Sequence, residues 1–407
     1  MAFPENPALP TQGFCTAVSQ GRMICPLLCS RYTKTRYPFE RKNINMNQKN
    51  GRVAVGLSGG VDSSIAAALL KEEGYEVIGV SMMTFDASMP ITESERHACY
   101  GPGEEEDVKS AAAACHKLGI SFHPIDLREE FRNHVIKYFK SEYLAGRTPN
   151  PCIVCNHRLK FGFLVEKTKG MGIDFDFFAT GHYAQIAELG GRFLLKRAAD
   201  LSKDQTYFLY ALTQGQLSRT LFPVGRYKKS QVREMASSFG LETANRPESQ
   251  DFISGTDYSS LFYEEEVREG DIVDETGRIL GTHRGIIHYT VGQRKGLGIS
   301  SDRPLYVLRI DARRNRIVVS DRENLLSDGL IAADLNLIAV DQLEKSYTGK
   351  AKIRLQHKET DATLYPYENE KVKILFDEPQ MSVTPGQSVV FYQDDIVFGG
   401  GVIEEAL

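Results

Sequence analysis

The sequence predicts an α/β protein: a doubly wound domain on a parallel sheet, then a small central domain and a C-terminal antiparallel β-barrel. Three observations support this fold class. From residue 51 to about 185, apolar strand segments alternate with helical segments, which is typical of a parallel sheet covered by helices. From residue 305 to 407, strand signals follow one another with few helix signals between them, as in a small antiparallel barrel. A chain of 407 residues has room for two or three domains.

The elements of the first part follow one another in a regular order. Residues 52–55 predict a strand, and a helix follows from Ser63. Residues 76–82 form a near-continuous apolar strand, as expected inside a parallel sheet. The later pattern predicts helices over 107–118 and 131–144, strands over 121–126 and 175–180, and mainly helical structure over 205–240. Ligands of such sheets bind at the carboxyl ends of the strands, so we expect the site after the strands that end near residues 55 and 180.

Changes in composition suggest the domain boundaries. We assign residues 46–257 to the α/β domain, 258–304 to the small central domain and 305–407 to the barrel. Residues 1–45 contain prolines, lack periodicity and precede Met46, so we expect a disordered or misassigned N-terminal extension. The strand signals of the barrel cover residues 305–310, 316–320, 350–356, 371–376, 388–392 and 400–403.

Composition limits the class of protein. The hydrophobic content of 42% and the charged content of 25% are ordinary for a soluble globular chain. No apolar run approaches the roughly 20 residues that span a bilayer, so we expect no membrane association. The seven cysteines are an odd number, which favours a reducing, cytoplasmic compartment over a disulfide framework. With a net charge of −4, any contact with nucleic-acid phosphates must come from a local basic patch. We expect a monomer.

A glycine-rich turn follows the first predicted strand, where residues 56–64 read GLSGGVDSS. Glycines let the backbone approach an anion, and the free N–H groups and dipole of a helix N-terminus favour negative charge. The turn therefore predicts a phosphate-binding site, although it matches neither G-x-x-x-x-G-K-[ST] nor G-x-G-x-x-G. Asp62 within it is expected to orient a metal ion or a phosphate-binding donor. The alternative is that Asp62 is the N-cap of the helix.

Two cysteines at Cys-x-x-Cys spacing form a second candidate site. Cys152 and Cys155 follow a proline-containing turn and precede the basic residues Arg158 and Lys160. Such a pair serves as a redox couple, as half of a zinc site or as the source of a nucleophilic thiolate. The positive neighbours are expected to lower the pKa of a thiol and to attract a phosphate backbone. For a zinc site, Cys99 adds at most one further ligand.

Seven motifs occur in the order found in tRNA-specific 2-thiouridylases, a family of PP-loop ATP pyrophosphatases. They are SGGVDSS, NPCxxCNxxxKF, ATGHYA, KDQTYFLYAL, FPVGRYKKSQVR, PESQDF and YTVGQRKGLGI. The resemblance covers nearly all of the chain from Arg52 to Leu407. It implies a PP-loop domain, a small central domain and a C-terminal β-barrel. It also implies that the protein thiolates carbon 2 of the wobble uridine in tRNA, using ATP and a relayed persulfide sulfur.

The resemblance further implies roles for individual residues. The residues that would contact ATP are Gly56, Leu57, Ser58, Gly59, Gly60, Val61, Asp62, Ser63, Met82 and Gly181. The residues that would contact tRNA are Asn150, Pro151, Cys152, His182, Lys203, Asp204, Gln205, Arg354 and Gln387. Cys155 matches the first catalytic cysteine of the family. Cys152 and Asp62 complete the predicted catalytic set.

The implied reaction has two steps. The uridine O2 attacks the α-phosphate of ATP and gives an adenylated base and pyrophosphate, while Mg²⁺ offsets the developing charge. Sulfur then displaces AMP at carbon 2, because AMP is a good leaving group and a carbonyl oxygen is a poor one. The sulfur would come from a donor protein, such as a cysteine desulfurase or a relay protein, or from free sulfide.

The chain departs from the family pattern at one position. Many members carry a second catalytic cysteine, which bears the persulfide, within a stretch like ESQDIC; here Ile253 occupies that position. Either Cys152 and Cys155 share the persulfide and resolving roles, or Cys99 joins them as ligands of an iron–sulfur cluster with one open iron. A third alternative is a catalytically altered tRNA-binding or sulfur-carrier protein. Cys115 is expected to be a small buried residue on a helix.

Overall fold

The computed structural model describes residues 50–89, 91, 98–241, 251–253, 258–263, 265 and 267–407. The predicted N-terminal extension, residues 1–45, lies outside this part of the chain. Among the helices that are described, none is both long enough and apolar enough to cross a membrane.

A five-stranded parallel sheet forms the centre of the first domain. The strands of this part of the chain are β1 Arg52–Gly56, β2 Glu76–Met83, β3 Ala98–Tyr100, β4 Ser121–Asp126, β5 Phe177–Thr180, β6 Gln185–Leu189, β7 Arg192–Lys196, β8 Thr220–Leu221 and β9 Asp251–Ile253. The sheet has the order β4-β2-β1-β5-β8, and every neighbouring pair is parallel. The predicted doubly wound sheet is confirmed, and its central strands β1 and β5 end at the expected turns.

Helices cover both faces of this sheet. They are α1 Val61–Glu72, α2 Glu104–Leu118, α3 residues 128–144, α4 residues 151–170, α5 Gln214–Leu217 and α6 Lys229–Ser238. Along β1, Val53 and Val55 pack into a core with residues of α1, α2 and α6, whereas Ala54 faces a second core that includes residues of α4. This alternation is what a strand buried on both faces requires. Within α3 and α4 lie the π-helical sections Arg132–Ile136 and Cys155–Phe163.

The expectation of helix over residues 205–240 is wrong for its first part. Residues 206–208 form a single 3₁₀ turn, and regular helix is limited to α5 and α6. Tyr207, Leu209 and Leu212 are each fully buried. This run is apolar on all sides, so its packing partners determine its backbone conformation. Its sequence therefore lacks the one-sided apolar pattern that marks a surface helix.

Two β-structures follow the α/β domain. A four-stranded sheet with the order β11-β10-β13-β12 comprises β10 Gly270–Val273, β11 Ile279–His283, β12 Tyr306–Asp311 and β13 Arg316–Ser320. The barrel comprises β14 Leu326–Leu337, β15 Tyr347–Lys352, β16 Thr360–Tyr367, β17 Lys371–Met381, β18 Ser388–Gln393 and β19 Ile396–Ala406. Antiparallel pairing of β14 with β19 closes it, which confirms the predicted C-terminal barrel. The expected start of the barrel at residue 305 is wrong, because the strands predicted over 305–310 and 316–320 are β12 and β13 of the four-stranded sheet, where β13 pairs with β10. The β6–β7 hairpin extends the barrel sheet, where Lys196 pairs with Ile396.

Candidate active site

The glycine-rich turn between β1 and α1 has the geometry of an anion cradle. α1 begins at Val61 with Gly60 as its N-cap, and no described side chain caps its first N–H groups. Gly59 has a φ of 71°, which glycine adopts without the strain that a Cβ brings. The Ser63 hydroxyl accepts a 3.2 Å hydrogen bond from the Ser58 N–H and donates one of 3.2 Å to the Gly60 carbonyl. The turn is therefore fixed in place while the N–H groups of the first helical turn remain available to an anion.

Asp62 lies in the first turn of α1, inside the helix, so the N-cap alternative is wrong. Its carboxylate accepts hydrogen bonds of 2.8 and 2.7 Å from the Lys229 ammonium and one of 2.8 Å from the Tyr183 hydroxyl. Lys229 is 8% exposed, so this ion pair is largely shielded from water. Three hydrogen bonds hold the carboxylate beside the cradle. Sequence analysis missed Lys229 and Tyr183, although both lie in quoted motifs.

The end of β5 packs directly against the start of α1. A Cβ on Gly181 would lie 2.5 Å from the backbone nitrogen of Ser63, so only glycine fits there. In the next residue, His182 Nδ1 lies 2.8 Å from the Thr180 hydroxyl. Burial, helped by the charge of Lys160, holds the pKa of His182 well below its ordinary value. The imidazole is therefore neutral near pH 7, and it can accept or donate a hydrogen bond but carries no charge.

The two thiols of the Cys-x-x-Cys motif lie on α4. Cys155 opens its nine-residue π-helical section, in which residues five apart are hydrogen-bonded and Lys160 comes close to Cys155. Burial raises the pKa of Cys155 to about 11, against a lowering by Lys160, and raises that of Cys152 to about 12. The predicted lowering of a thiol pKa is therefore wrong for this state of the site. Loss of water outweighs one ammonium group, and both cysteines are protonated near pH 7.

One cavity of about 340 Å³ joins the cradle to the thiols. The predicted site residues that line this cavity are Gly56, Leu57, Ser58, Gly60, Val61, Asp62, Ser63, Met82, Cys99, Cys152, Cys155, Gly181, His182 and Gln205. Phosphate-binding groups and sulfur-bearing groups therefore face the same cavity. A nucleotide in the cradle and a base beside the thiols would be held against each other.

Three family models match consecutive parts of the chain. They describe a tRNA methyl transferase HUP domain over residues 51–254, a tRNA methyl transferase PRC-barrel domain over 261–321 and an aminomethyltransferase beta-barrel domain over 327–403. The tRNA-specific 2-thiouridylase MnmA of Acetivibrio thermocellus is 49% identical over 360 residues, which is 87% of this chain and 99% of that protein. The chain belongs to the tRNA-specific 2-thiouridylase family. A second relative, MnmA 2 of Caldanaerobacter subterraneus subsp. tengcongensis, is 49% identical over 364 residues, or 88% of this chain and 99% of that protein.

The cysteines of this member of the family differ in their surroundings. Cys99, on β3, is exposed at the rim of the cavity, whereas Cys152 and Cys155 are half-buried in its wall. Cys115 is buried on α2, as predicted. Although three thiols share one cavity, the described residues contain no group of three or more His, Cys, Asp or Glu arranged to hold a metal ion. The three thiols are therefore not arranged as the ligands of a metal cluster in this structure.

The Lys-Asp-Gln segment of the family is tied to the protein by its polar side chains. The Gln205 side chain accepts a 2.8 Å hydrogen bond from the N–H of Tyr183. Asp204 accepts one of 2.9 Å from the N–H of Ala198 and one of 2.6 Å from the Thr206 hydroxyl. Burial raises the pKa of Asp204 against these hydrogen bonds. Gln205 lies on the cavity wall, whereas Lys203 and Asp204 lie outside it.

The two predicted barrel residues also lie outside the cavity and bind backbone carbonyls. Gln387 donates hydrogen bonds of 3.0 and 3.1 Å to the carbonyls of Thr148 and Pro149. It thereby holds the segment that leads into Asn150, Pro151 and the first thiol. Arg354 donates one of 2.7 Å to the Ser382 carbonyl, within the barrel itself.

The cavity wall also contains polar residues outside the predicted site set. Lys160, which the sequence indicated as a basic neighbour of the thiols, lies on α4 with Asn156, and Glu104 begins α2. The Glu104 carboxylate accepts hydrogen bonds from the Thr84 hydroxyl and from the N–H groups of Thr84 and Phe85, so it fixes the chain after β2. Asn156 was within reach of prediction, because it lies in the NPCxxCNxxxKF motif.

Proposed function

We propose that this protein catalyses ATP-dependent 2-thiolation of the wobble uridine of tRNA. One observation carries the proposal: the anion cradle and two half-buried thiols line the same cavity. The relatives that are 49% identical over 87% and 88% of this chain are named tRNA-specific 2-thiouridylases, which supports the same substrate and reaction here. Cys99, Cys115, Cys152 and Cys155 are free cysteines, which suits a reducing, cytoplasmic setting.

In this proposal, residues 56–63 hold the phosphates of ATP, and Met82 and Gly181 border the rest of the nucleotide. The uncapped N–H groups of α1 and the left-handed Gly59 suit this role. The Asp62 carboxylate beside the cradle already accepts hydrogen bonds from Lys229 and Tyr183, and it would hold Mg²⁺ through its remaining lone pair together with the phosphate oxygens. Bound Mg²⁺ supplies positive charge for the oxygens of the transferred group.

Adenylation of the base comes first. The uridine O2 forms a bond to the α-phosphorus, the bond to the β-phosphate oxygen breaks, and pyrophosphate leaves. The neutral imidazole of His182 and the ammonium of Lys160 line the cavity in which this reaction takes place. An ammonium inside an enclosed wall stabilises negative charge more than it would in water.

Sulfur transfer follows, and Cys155 takes part in it. Cys152 is three residues away on the same helix, so the two thiols can share the persulfide and resolving roles that the sequence left open. The alternative of an iron–sulfur cluster on Cys99, Cys152 and Cys155 stays a prediction. The described residues offer no group of three placed for a metal ion. We therefore base no step on a cluster.

We assign the tRNA contacts to the residues that the family pattern indicates. Asn150, Pro151 and Cys152 would border the target base, and His182 would approach it from the cavity wall. The segment 203–205 would bind the tRNA beside the cavity. On the barrel, Arg354 and Gln387 would act at longer range. The sulfur donor would be a persulfide-carrying protein or free sulfide.

The test is a reconstitution with the full chain, Mg-ATP, sodium sulfide, a thiol reductant and an unmodified tRNA transcript with uridine at the wobble position. Pyrophosphate and 2-thiouridine are measured together, the latter by mass spectrometry of nucleosides. We expect both products, and neither with a transcript that has cytidine at that position. If the protein binds tRNA but forms neither product, the alternative of a tRNA-binding or sulfur-carrier protein is favoured instead.

A further inference from the structure

Four cysteines lie in the described part of the chain, and three of them line the active-site cavity. The fourth, Cys115, is shut into the core: a Cβ on Gly79 would come close to its sulfur. Of the three cavity thiols, Cys99 alone is exposed, whereas Cys152 and Cys155 are half-buried. A sulfur donor that docks from outside therefore meets Cys99 first. The partial burial of the other two thiols also makes them slower to react with an external partner.

Strand pairing explains why Cys99 faces the cavity. β3 and β9 form a two-stranded parallel sheet in which Ala98 pairs with Asp251 and Tyr100 pairs with Ile253. Successive side chains on a strand point to opposite faces. Tyr100 and Ile253 are 2% and 0% exposed and point into the core, and Cys99 lines the cavity together with Phe252.

Position 253 is therefore a poor place for a working thiol in this protein. Ile253 packs into an apolar cluster with Tyr100, Phe131 and Phe139. Neither Tyr100 nor Ile253 contributes to the cavity wall, whereas Cys99, one residue along the paired strand, does. A thiol at position 99 on β3 therefore reaches the cavity, whereas a thiol at position 253 would point into the core.

We propose that Cys99 is the cysteine that receives and carries the persulfide, and that Cys155 is the cysteine that resolves it. This inference rests on the proposed thiolation. In this assignment the catalytic pair is Cys99 on β3 and Cys155 on α4, instead of Cys152 and Cys155.

Sulfur transfer proceeds in three steps. A donor persulfide gives its outer sulfur to the Cys99 thiolate, which leaves a donor thiol and a Cys99 persulfide. The terminal sulfur of that persulfide forms a bond to carbon 2 of the adenylated uridine, and the bond from carbon 2 to the AMP oxygen breaks. The Cys155 thiol then attacks the Cys99 sulfur and releases 2-thiouridine. The two thiols are oxidised to a Cys99–Cys155 disulfide, the transferred sulfur is reduced to the thione, and an external thiol reduces the disulfide for the next cycle.

Cys155 suits the resolving role better than Cys152 because of its neighbours. Lys160 lies on the same π-helical section and faces the same cavity. Its ammonium lowers the pKa of Cys155 against the effect of burial, whereas burial and then the neighbouring Cys99 raise the pKa of Cys152. The attacking species is a thiolate, so the thiol nearer to the ammonium is favoured.

The experiment is a single turnover by the full chain. The reduced enzyme is loaded with inorganic polysulfide, desalted, and given Mg-ATP and tRNA transcript without reductant. Pyrophosphate, 2-thiouridine and disulfide-linked peptides are then measured. We expect up to one 2-thiouridine per enzyme and a Cys99–Cys155 disulfide, which should also form in the Cys152→Ser variant. Cys99→Ser should lose 2-thiouridine and still release pyrophosphate, and the control Cys115→Ala should behave as the wild type.

Each contrary outcome has a definite meaning. A Cys152–Cys155 disulfide, with 2-thiouridine still formed by Cys99→Ser, overturns the assignment to Cys99. Iron and acid-labile sulfide in the anaerobically purified wild type, lost in Cys99→Ser and accompanied by turnover without any disulfide, overturns it in favour of a cluster. Absence of pyrophosphate release from the wild type counts against the proposed function itself, because adenylation requires none of the cysteines.

Discussion

At Cys155, two opposing effects set the reactivity of the thiol. Burial raises its pKa, and the ammonium of Lys160 lowers it. In Lys160→Gln the lowering effect is lost, so the pKa of Cys155 should rise and its alkylation by iodoacetamide should require a higher pH. The profile is measured by mass spectrometry of the Cys155 peptide.

Arg158→Gln is the matched control for this change. Arg158 is an exposed cation on the same helix, and it is not among the groups that shift the pKa of Cys155. Its alkylation profile should stay at the wild-type position. Equal shifts in the two variants would mean that the overall charge of the helix, rather than Lys160 itself, sets the reactivity of the thiol.

At Gly181, the absence of a side chain allows β5 to pack closely against α1. A methyl group in Gly181→Ala would overlap the backbone of Asp62 and Ser63, so the cradle must shift. Overpacking of this kind typically costs about 1–3 kcal/mol of unfolding free energy. We expect a lower urea midpoint and weaker ATP binding. Gly170→Ala is the control, because a Cβ there, at the end of α4, meets nothing within 4 Å, and it should lower neither quantity.

At the residue scale, the sequence proposes site residues wherever a local motif indicates a chemistry. The glycine turn, Gly181 and the cysteine pair were predicted from local pattern, and the cavity brings them together. The partners of Asp62 were not predicted, because Lys229 and Tyr183 are 167 and 121 residues away from it. A local pattern carries no information about such distant pairs. The raised thiol pKa values were missed for a similar reason, since burial is a property of the folded chain.

At the scale of elements, the pairing of β3 with β9 decides which side chains reach the cavity. Restoring a cysteine at position 253 in the double variant Cys99→Ser/Ile253→Cys should not restore 2-thiouridine formation, because that side chain points into the core. Placing it one residue earlier, in Cys99→Ser/Phe252→Cys, puts a thiol on the cavity wall and should recover part of the yield. The measurement is 2-thiouridine per enzyme after polysulfide loading. Recovery in the first variant and not in the second would show that β9 rotates during the reaction.

The sequence predicted elements best where the hydrophobic period was clear. The strands β1, β2 and β4 were predicted to within about a residue or two, and α2 begins three residues earlier than expected. β14 and β16 were missed, since Gly329 and two aspartates interrupt the first and Pro366 lies in the second. The π-helical section of α4 was not foreseen either, because its sequence is compatible with an ordinary helix.

At the scale of the whole molecule, the segment before the thiols is where three parts of the protein meet. The Thr148 hydroxyl lies 2.5 Å from that of Thr290, which precedes β12. The N–H of Thr148 donates to Pro385 of the barrel at 2.9 Å, and Gln387 donates to the carbonyls of Thr148 and Pro149. The position of α4 and its cysteines therefore depends on residues more than 230 positions further along the chain.

Gln387→Ala tests this dependence. Loss of the amide leaves two backbone carbonyls without their donor, which costs about 1–3 kcal/mol when such groups are buried. We expect slower 2-thiouridine formation with unchanged ATP affinity, because the segment leads to the thiols while the cradle is held by β1, β5 and α1. Gln393→Ala is the matched control, an exposed glutamine at the end of the same strand β18, and it should leave both quantities unchanged. A parallel loss of ATP affinity in Gln387→Ala would instead mean that the barrel stabilises the whole cavity. The cradle and the thiols would then both depend on the contacts with the barrel.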